Sequence, residues 1–283
     1  MTQTPVELRA GALRLALRPD LGGAIAGLWH GELPVLRSTE PGDLASARLA
    51  GCYPLAPYSG RLGYRRFRWA GHDYTTAPNF DDNPHSLHGV AWQRAWSVVQ
   101  AAPAEAELAY RHAPDTHWPF AFELRQRFVL TPDALEVHLA ITNHAAQPQP
   151  VGVGWHPYFP KRHRSRVHIE LTDRWESDAS GLPTRRVPQS GIDGDVAHLA
   201  FDHCFEGWHG PAQLRDEKLS VRLSSSLPYL VVYTPESKPY YCVEPVSHVS
   251  NALHMAEPAA HGLRALAPGA TLDAWMKLEI ATA

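Results

Sequence analysis

The chain has 283 residues, of which 44% are hydrophobic and 19% charged, which excludes wholesale disorder and allows a large apolar core. Lys and Arg number 26 against 29 Asp and Glu, and the formal charge of −3 offers no basic footprint for nucleic acid and no polybasic patch for a membrane surface. No apolar run approaches the roughly 18 residues of a membrane span, and MTQTPVELRAGALRLALRPD lacks the basic-then-apolar layout of a secretory leader, so a cytoplasmic location is expected.

Twenty-five prolines work against long helices, and the dominant apolar period is two rather than 3.6. The first segment with chemical content is Ala56-Pro-Tyr-Ser-Gly-Arg61-Leu-Gly-Tyr64. An arginine between glycines can reach into a groove as a rigid fork of donors, or it can sit on the surface of a tight hairpin. Next comes Asn79-Phe-Asp-Asp-Asn-Pro-His85-Ser-Leu-His88-Gly-Val90. Histidines at i and i+3 invite a metal, but Asn-Pro and Gly mark a loop and no third ligand of known spacing follows. No metal is expected, and His88 reads as a proton carrier or hydrogen-bond partner.

Strands follow. Phe122, Leu124, Phe128 and Leu130 alternate with polar residues, and so do Leu135, Val137, Leu139 and Ile141 after the turn Thr131-Pro-Asp133. Ala145-Ala-Gln-Pro-Gln-Pro150 reads as a turn. The segment Val151-Gly-Val-Gly-Trp155-His156-Pro-Tyr-Phe-Pro160 then locks a histidine between Trp155 and Pro157. A core histidine capping a strand fits His156 equally well, although Trp155, Tyr158 and Phe159 are faces of the kind that stack on sugar C–H surfaces. The basic run Lys161-Arg-His-Arg-Ser-Arg166 reads as a solvated loop or as a clamp for a phosphate.

Val167, Ile169 and Leu171 resume the alternation, Gly191-Ile-Asp-Gly194 marks a turn, and Asp202 opens an aromatic-rich segment ending at Trp208. Leu219, Val221 and Leu223 form a further alternating set. In Tyr240-Tyr-Cys-Val-Glu244-Pro245 an apolar strand ends in a carboxylate. Partial desolvation would raise its pKa and suit it to act as a general base, whereas an ion pair with an arginine such as Arg61 would make it structural. A short helical piece is expected at Asn251–Met255, and Leu272, Ala274, Met276, Leu278 and Ile280 share one face of a last strand. Cys52, Cys204 and Cys242 are odd in number and far apart, which is neither a disulfide framework nor a zinc spacing. The pattern points to one all-β domain over residues 1–283.

In content and order these segments resemble the aldose 1-epimerase (galactose mutarotase) family. The matching elements are Ser59-Gly-Arg61 with the following Phe67 strand, Leu87-His88-Gly89 with Trp96, His156-Pro-Tyr-Phe159, Asp202-His-Cys-Phe205 and Glu244-Pro245. The resemblance runs from about residue 10 to the end. It implies a large antiparallel β-sandwich of the galactose mutarotase type, a supersandwich with a sugar-binding groove and no cofactor. It also implies an isomerase that interconverts the α- and β-anomers of a free aldohexose such as galactose or glucose. Glu244 would then be the general base and His156 the general acid, ionised and protonated respectively in the productive state. Arg61, His88 and Asp202 would bind and orient the sugar, with Trp155 as a stacking face. One departure is His254, where an asparagine is expected, which bears on sugar preference. The partner implied is a small-molecule sugar, with no nucleic acid and no membrane, and with monomer and homodimer both open. Two other readings stand beside this one: a hexose-6-phosphate 1-epimerase, motivated by the 161–166 run, and a carbohydrate-binding module without turnover.

Overall fold

The computed structural model describes residues 4–283, so the leader-free reading of the first three positions lies outside the described residues. Each alternating segment becomes a strand with its apolar side chains on one face. In Phe122–Leu130, residues 122, 124, 126, 128 and 130 are buried while 125 and 127 are exposed. The strand pairs in antiparallel register with Glu105–His112 on one side and Ala134–Asn143 on the other. On the outer face Arg125 meets Glu107 and Arg127 meets Glu105, both at 2.7 Å, contacts that add little because they are open to water. Burying a Phe128 or a Leu139 is worth about 2–3 kcal/mol, so the inward set fixes the register.

Nine strands form the first large sheet, in the order Ser97–Ala102, Glu105–His112, Phe122–Leu130, Ala134–Asn143, Thr271–Thr282, Leu219–Ser225, Ala212–Arg215, Arg166–Ile169 and Ile192–Asp195. The second runs Pro183–Pro188, Asp173–Ser177, Asp202–Glu206, Tyr229–Tyr233, Tyr240–Val246, Gly154–Trp155 and Pro54–Leu55, and Tyr158–Pro160 also pairs with Tyr240–Val246. Their inner faces share one core: Phe128, Val137, Leu139 and Leu278 from the first join Phe205, Leu230, Val232 and Val243 from the second. A four-stranded sheet from Val6–Ala10 to Leu33–Pro34 adds Leu8, Leu15, Leu17 and Leu28 to the same cluster. The result is a β-sandwich, and among the described residues helical structure is limited to short 3-10 turns.

Tertiary pairing overrides local signals in two places. Gln149–Val151 is a strand against Arg264–Leu266, and Ile192–Asp195 is a strand against Arg166–Ile169, where turns were expected. Only Gly191, at φ +63°, turns the chain there. The helical piece expected at Asn251–Met255 is a single 3-10 turn, Ala252–His254.

Candidate active site

In the second sheet, residues alternate between the shared core and the opposite face. Tyr241 and Val243 point to the core, so Tyr240, Cys242 and Glu244 point away from it. The register then builds two rows across that outer face. Asp202 lies opposite Tyr233, Tyr233 opposite Cys242, and Cys242 opposite Tyr158. Cys204 lies opposite Val231, and Val231 opposite Glu244. Loops close over these rows and leave a cavity of about 780 Å³, lined among others by Arg37, Arg61, His88, His156, Asp202 and Glu244. Five of the six expected site residues therefore meet in one place.

Arg61 is held by its turn. Its N–H donates to Ser250 Oγ at 2.9 Å, and its carbonyl accepts from Asn251 N–H at 2.9 Å. The guanidinium lies over Gly181, where a Cβ would come within 2.7 Å of Cζ, and donates to Asp202 at 3.4 Å while its buried Nε has no partner. The structural alternative for Glu244, a pairing with Arg61, is thus not what the fold uses. His88 has φ +62° and accepts the Gly60 N–H on Nδ1 at 3.2 Å. Its ring proton therefore resides on Nε2, a donor for the cavity. Burial, and secondarily Arg61, pushes His88 down to about 3, so it is neutral near pH 7.

His156 Nε2 and Glu244 Oε1 stand 3.4 Å apart. The imidazole stacks on Tyr158 at 4.4 Å and 7°, and Tyr158 hydroxyl bonds Tyr53 hydroxyl at 2.9 Å. Burial is the main cause holding Glu244 well above the usual carboxylate range, reinforced by Asp202 and opposed by Arg61. Burial likewise drives His156 well below the imidazole range, with His88 and Arg37 adding to it. Burial thus works against the carboxylate–imidazolium form of the pair and toward the form with the proton on Glu244. The two arrangements hold the same number of protons and differ by one transfer, so the pair is an internal acid and base that titrates as a unit.

Trp155 does not join them. Neighbours on a strand face opposite ways, so with His156 in the cavity Trp155 enters the core, where its indole donates to Gln126 Oε1 at 3.1 Å. Phe159 is sent inward by the same rule and stacks on Tyr241, whereas Tyr158 lines the cavity. The basic run also lies elsewhere: Lys161 donates to Pro235 carbonyl, Arg162 pairs with Asp216 at 2.6 Å, and Arg166 with Asp195 at 3.0 Å. His254 bonds the Arg66 carbonyl at 2.6 Å and is not part of the cavity wall.

Of the remaining histidines, His203 lines the cavity, while His248 and His85 support it. His248 accepts Ser59 N–H at 3.1 Å and His85 accepts Tyr64 N–H at 2.9 Å, bracketing the turn that carries Arg61. His112 is buried on a strand between Tyr110 hydroxyl and Trp118 carbonyl. Sequence reasoning missed Arg37, whose guanidinium lies 3.7 Å over the Tyr158 ring, together with Tyr53, Trp175, Tyr233 and Tyr240. Period-two alternation back from Glu244 was enough to find Tyr240 and Cys242.

The family model for aldose 1-epimerase matches residues 5–279. The chain is 31% identical to the uncharacterized protein YphB of Escherichia coli K12 over 290 residues, spanning 96% of this chain and 97% of that one. A crystal structure of an Escherichia coli K12 protein provisionally described as an aldose 1-epimerase superposes with a TM-score of 0.90 at 28% identity, covering 99% of both chains. A galactose mutarotase-like protein from Clostridium acetobutylicum superposes at 0.86 with 20% identity, covering 98% of this chain and 95% of that one, a likeness of fold. With the whole sandwich and its cavity covered by these matches, the chain belongs to the aldose 1-epimerase family.

Proposed function

We propose that the protein is a mutarotase that interconverts the α- and β-anomers of a free aldohexose through Glu244 and His156. The observation that carries this reading is the 3.4 Å juxtaposition of a buried carboxyl and a buried imidazole in the wall of a cavity of about 780 Å³, roomy enough for a sugar. The hydroxyl and ring oxygens of a hemiacetal share one carbon, so groups serving them must also stand close, each within about 2.6–3.2 Å of its own oxygen. Glu244 removes the C1 hydroxyl proton while His156 protonates the ring oxygen, and the C1–ring oxygen bond opens. Rotation about C1–C2 presents the other face of the aldehyde, and the two groups reverse roles on closure. The neutral Nε2–H of His88 and the Arg61 guanidinium, whose Nε lacks a partner, supply donors for oxygens that gain charge. The reaction balances within the sugar: the C1–ring oxygen bond breaks as the C1 carbonyl forms and re-forms on closure, with each proton passing between the sugar and Glu244 or His156.

Three free, buried cysteines fit the reducing cytoplasm, and one domain over 1–283 suffices for the chemistry. No helix among the described residues is long and apolar enough to cross a membrane. The basic run is engaged outside the cavity, which favours a free sugar over its 6-phosphate. The test is exchange of the α- and β-anomer NMR signals of galactose, glucose, arabinose and glucose 6-phosphate. Acceleration of a free sugar supports the reading. Saturable shifts without acceleration replace it with a binding module.

A further inference from the structure

The same face of the second sheet brings a third metal-ligating group to the acid–base pair. Cys242 is two residues from Glu244 on one strand and opposite Tyr158 on the next, so its side chain falls beside both catalytic groups. The ligand atoms of His156, Cys242 and Glu244 all lie within 4.8 Å of one another, and the three residues are 7%, 0% and 3% exposed. The short linear spacing of 242 and 244 says nothing of a metal. Only the fold adds a histidine from 86 residues upstream.

We propose that His156, Cys242 and Glu244 form a capture site for a thiophilic divalent cation of the zinc class, which closes the sugar site while it is bound. Nitrogen, sulfur and carboxylate oxygen together are the donor set of a borderline-soft ion and not of magnesium or calcium. Around a tetrahedral ion with Zn–N and Zn–O bonds near 2.0–2.1 Å, nitrogen and oxygen ligands stand about 3.3 Å apart. The Nε2–Oε1 separation of 3.4 Å already meets that value. The thiol has to close in by at most about 1.3 Å, within reach of a side-chain rotation. A thiolate and a carboxylate cancel the charge of the ion, which removes the main cost of placing it in a buried site. Arg61 is paired with Asp202 rather than with Glu244. The cavity leaves room for an exogenous fourth ligand.

His156 Nδ1 is buried without a partner, so this ligand lacks the outer hydrogen bond that anchors histidines in resident metal centres. The cation is therefore a reversible occupant and not a cofactor. Because it takes the two groups that move protons, it excludes turnover. That inhibitory half rests on the mutarotase reading, whereas the binding half does not.

The test uses the full chain in thiol-free buffer with Co2+ alone as the probe. One Co2+ per chain should bind with a near-ultraviolet thiolate-to-cobalt charge-transfer band, and Zn2+ should erase it. Zn2+ should also slow anomer exchange in competition with sugar, and Mg2+ should not. Cys242→Ser and Cys242→Ala should lose the band and weaken Zn2+ inhibition, read against each variant's own zinc-free rate, by at least about 10-fold. Cys52→Ser and Cys204→Ser should retain both. No thiolate band in the wild type, a band that survives Cys242→Ser, or equal inhibition by Mg2+ overturns the proposal. A band in a wild type that accelerates no sugar keeps the cation site and removes the mutarotase. Acceleration without a band does the reverse.

Discussion

Replacing Glu244 by Gln separates the proton chemistry from everything else the residue does. The amide fills the same buried volume beside Cys242 and Val231 and can still hydrogen-bond a sugar hydroxyl. It cannot take up or give back a proton. A placed general base contributes about 100- to 10,000-fold, or about 3–5 kcal/mol of barrier, and this loss should fall on kcat with KM little changed. Stability should move the other way. Burial raises the folded-state pKa of Glu244, so the wild type loses stability as pH climbs from the unfolded carboxyl value, about 4.3, toward the folded value. Gln carries no such penalty, so the Tm of the variant relative to wild type should rise with pH across that window. Anomer exchange by NMR reads the first effect, and thermal unfolding at a series of pH values reads the second. A Glu244→Gln protein that exchanges anomers at the full rate would refute the assignment. A stability difference independent of pH would refute the burial argument.

Turnover requires the Glu244–His156 pair to hold a single proton. A second proton must go to a His156 whose affinity burial has lowered, so the acid limb should fall below the ordinary imidazole value of about 6.5. Losing the last proton leaves a buried carboxylate, so the alkaline limb should lie above the ordinary carboxylate value, and a kcat profile against pH checks both. Gly181→Ala places a Cβ 2.7 Å from the Arg61 guanidinium at a backbone φ of +82°. It should cost about 1–3 kcal/mol of stability and raise KM at least about tenfold, measured by denaturant unfolding and initial rates. Trp155→Phe removes a core hydrogen bond to Gln126 and should destabilise by about 1–3 kcal/mol with KM unaltered. A raised KM with intact stability would return Trp155 to the sugar site. Glucose 6-phosphate should be anomerised no faster than glucose, because Lys161, Arg162 and Arg166 are engaged with Pro235, Asp216 and Asp195.

Period-two alternation is a local property, and the sequence was enough to place the strands built on Phe122–Leu130, Leu135–Ile141 and Leu272–Ile280 and to name their buried faces. Motif chemistry was also legible: Arg61, His88, His156, Asp202 and Glu244 do line one cavity. Trp155 was expected at the sugar but enters the core, because it and the next residue, His156, leave the end of the strand on opposite sides. Other features had no local trace. Gly and Asp in Ile192–Asp195 read as a turn until Arg166–Ile169 supplies a pairing edge. His112 is buried because Tyr110 and Trp118, brought to it by the fold, satisfy both its nitrogens. Tertiary structure alone decided that Arg61 turns to Asp202 instead of Glu244, that Arg37 covers Tyr158, and that Cys242 sits with the acid and base. Those outcomes depend on which strands become neighbours and in what register. Register is set by burial summed over whole sheets, so no short stretch of sequence records it.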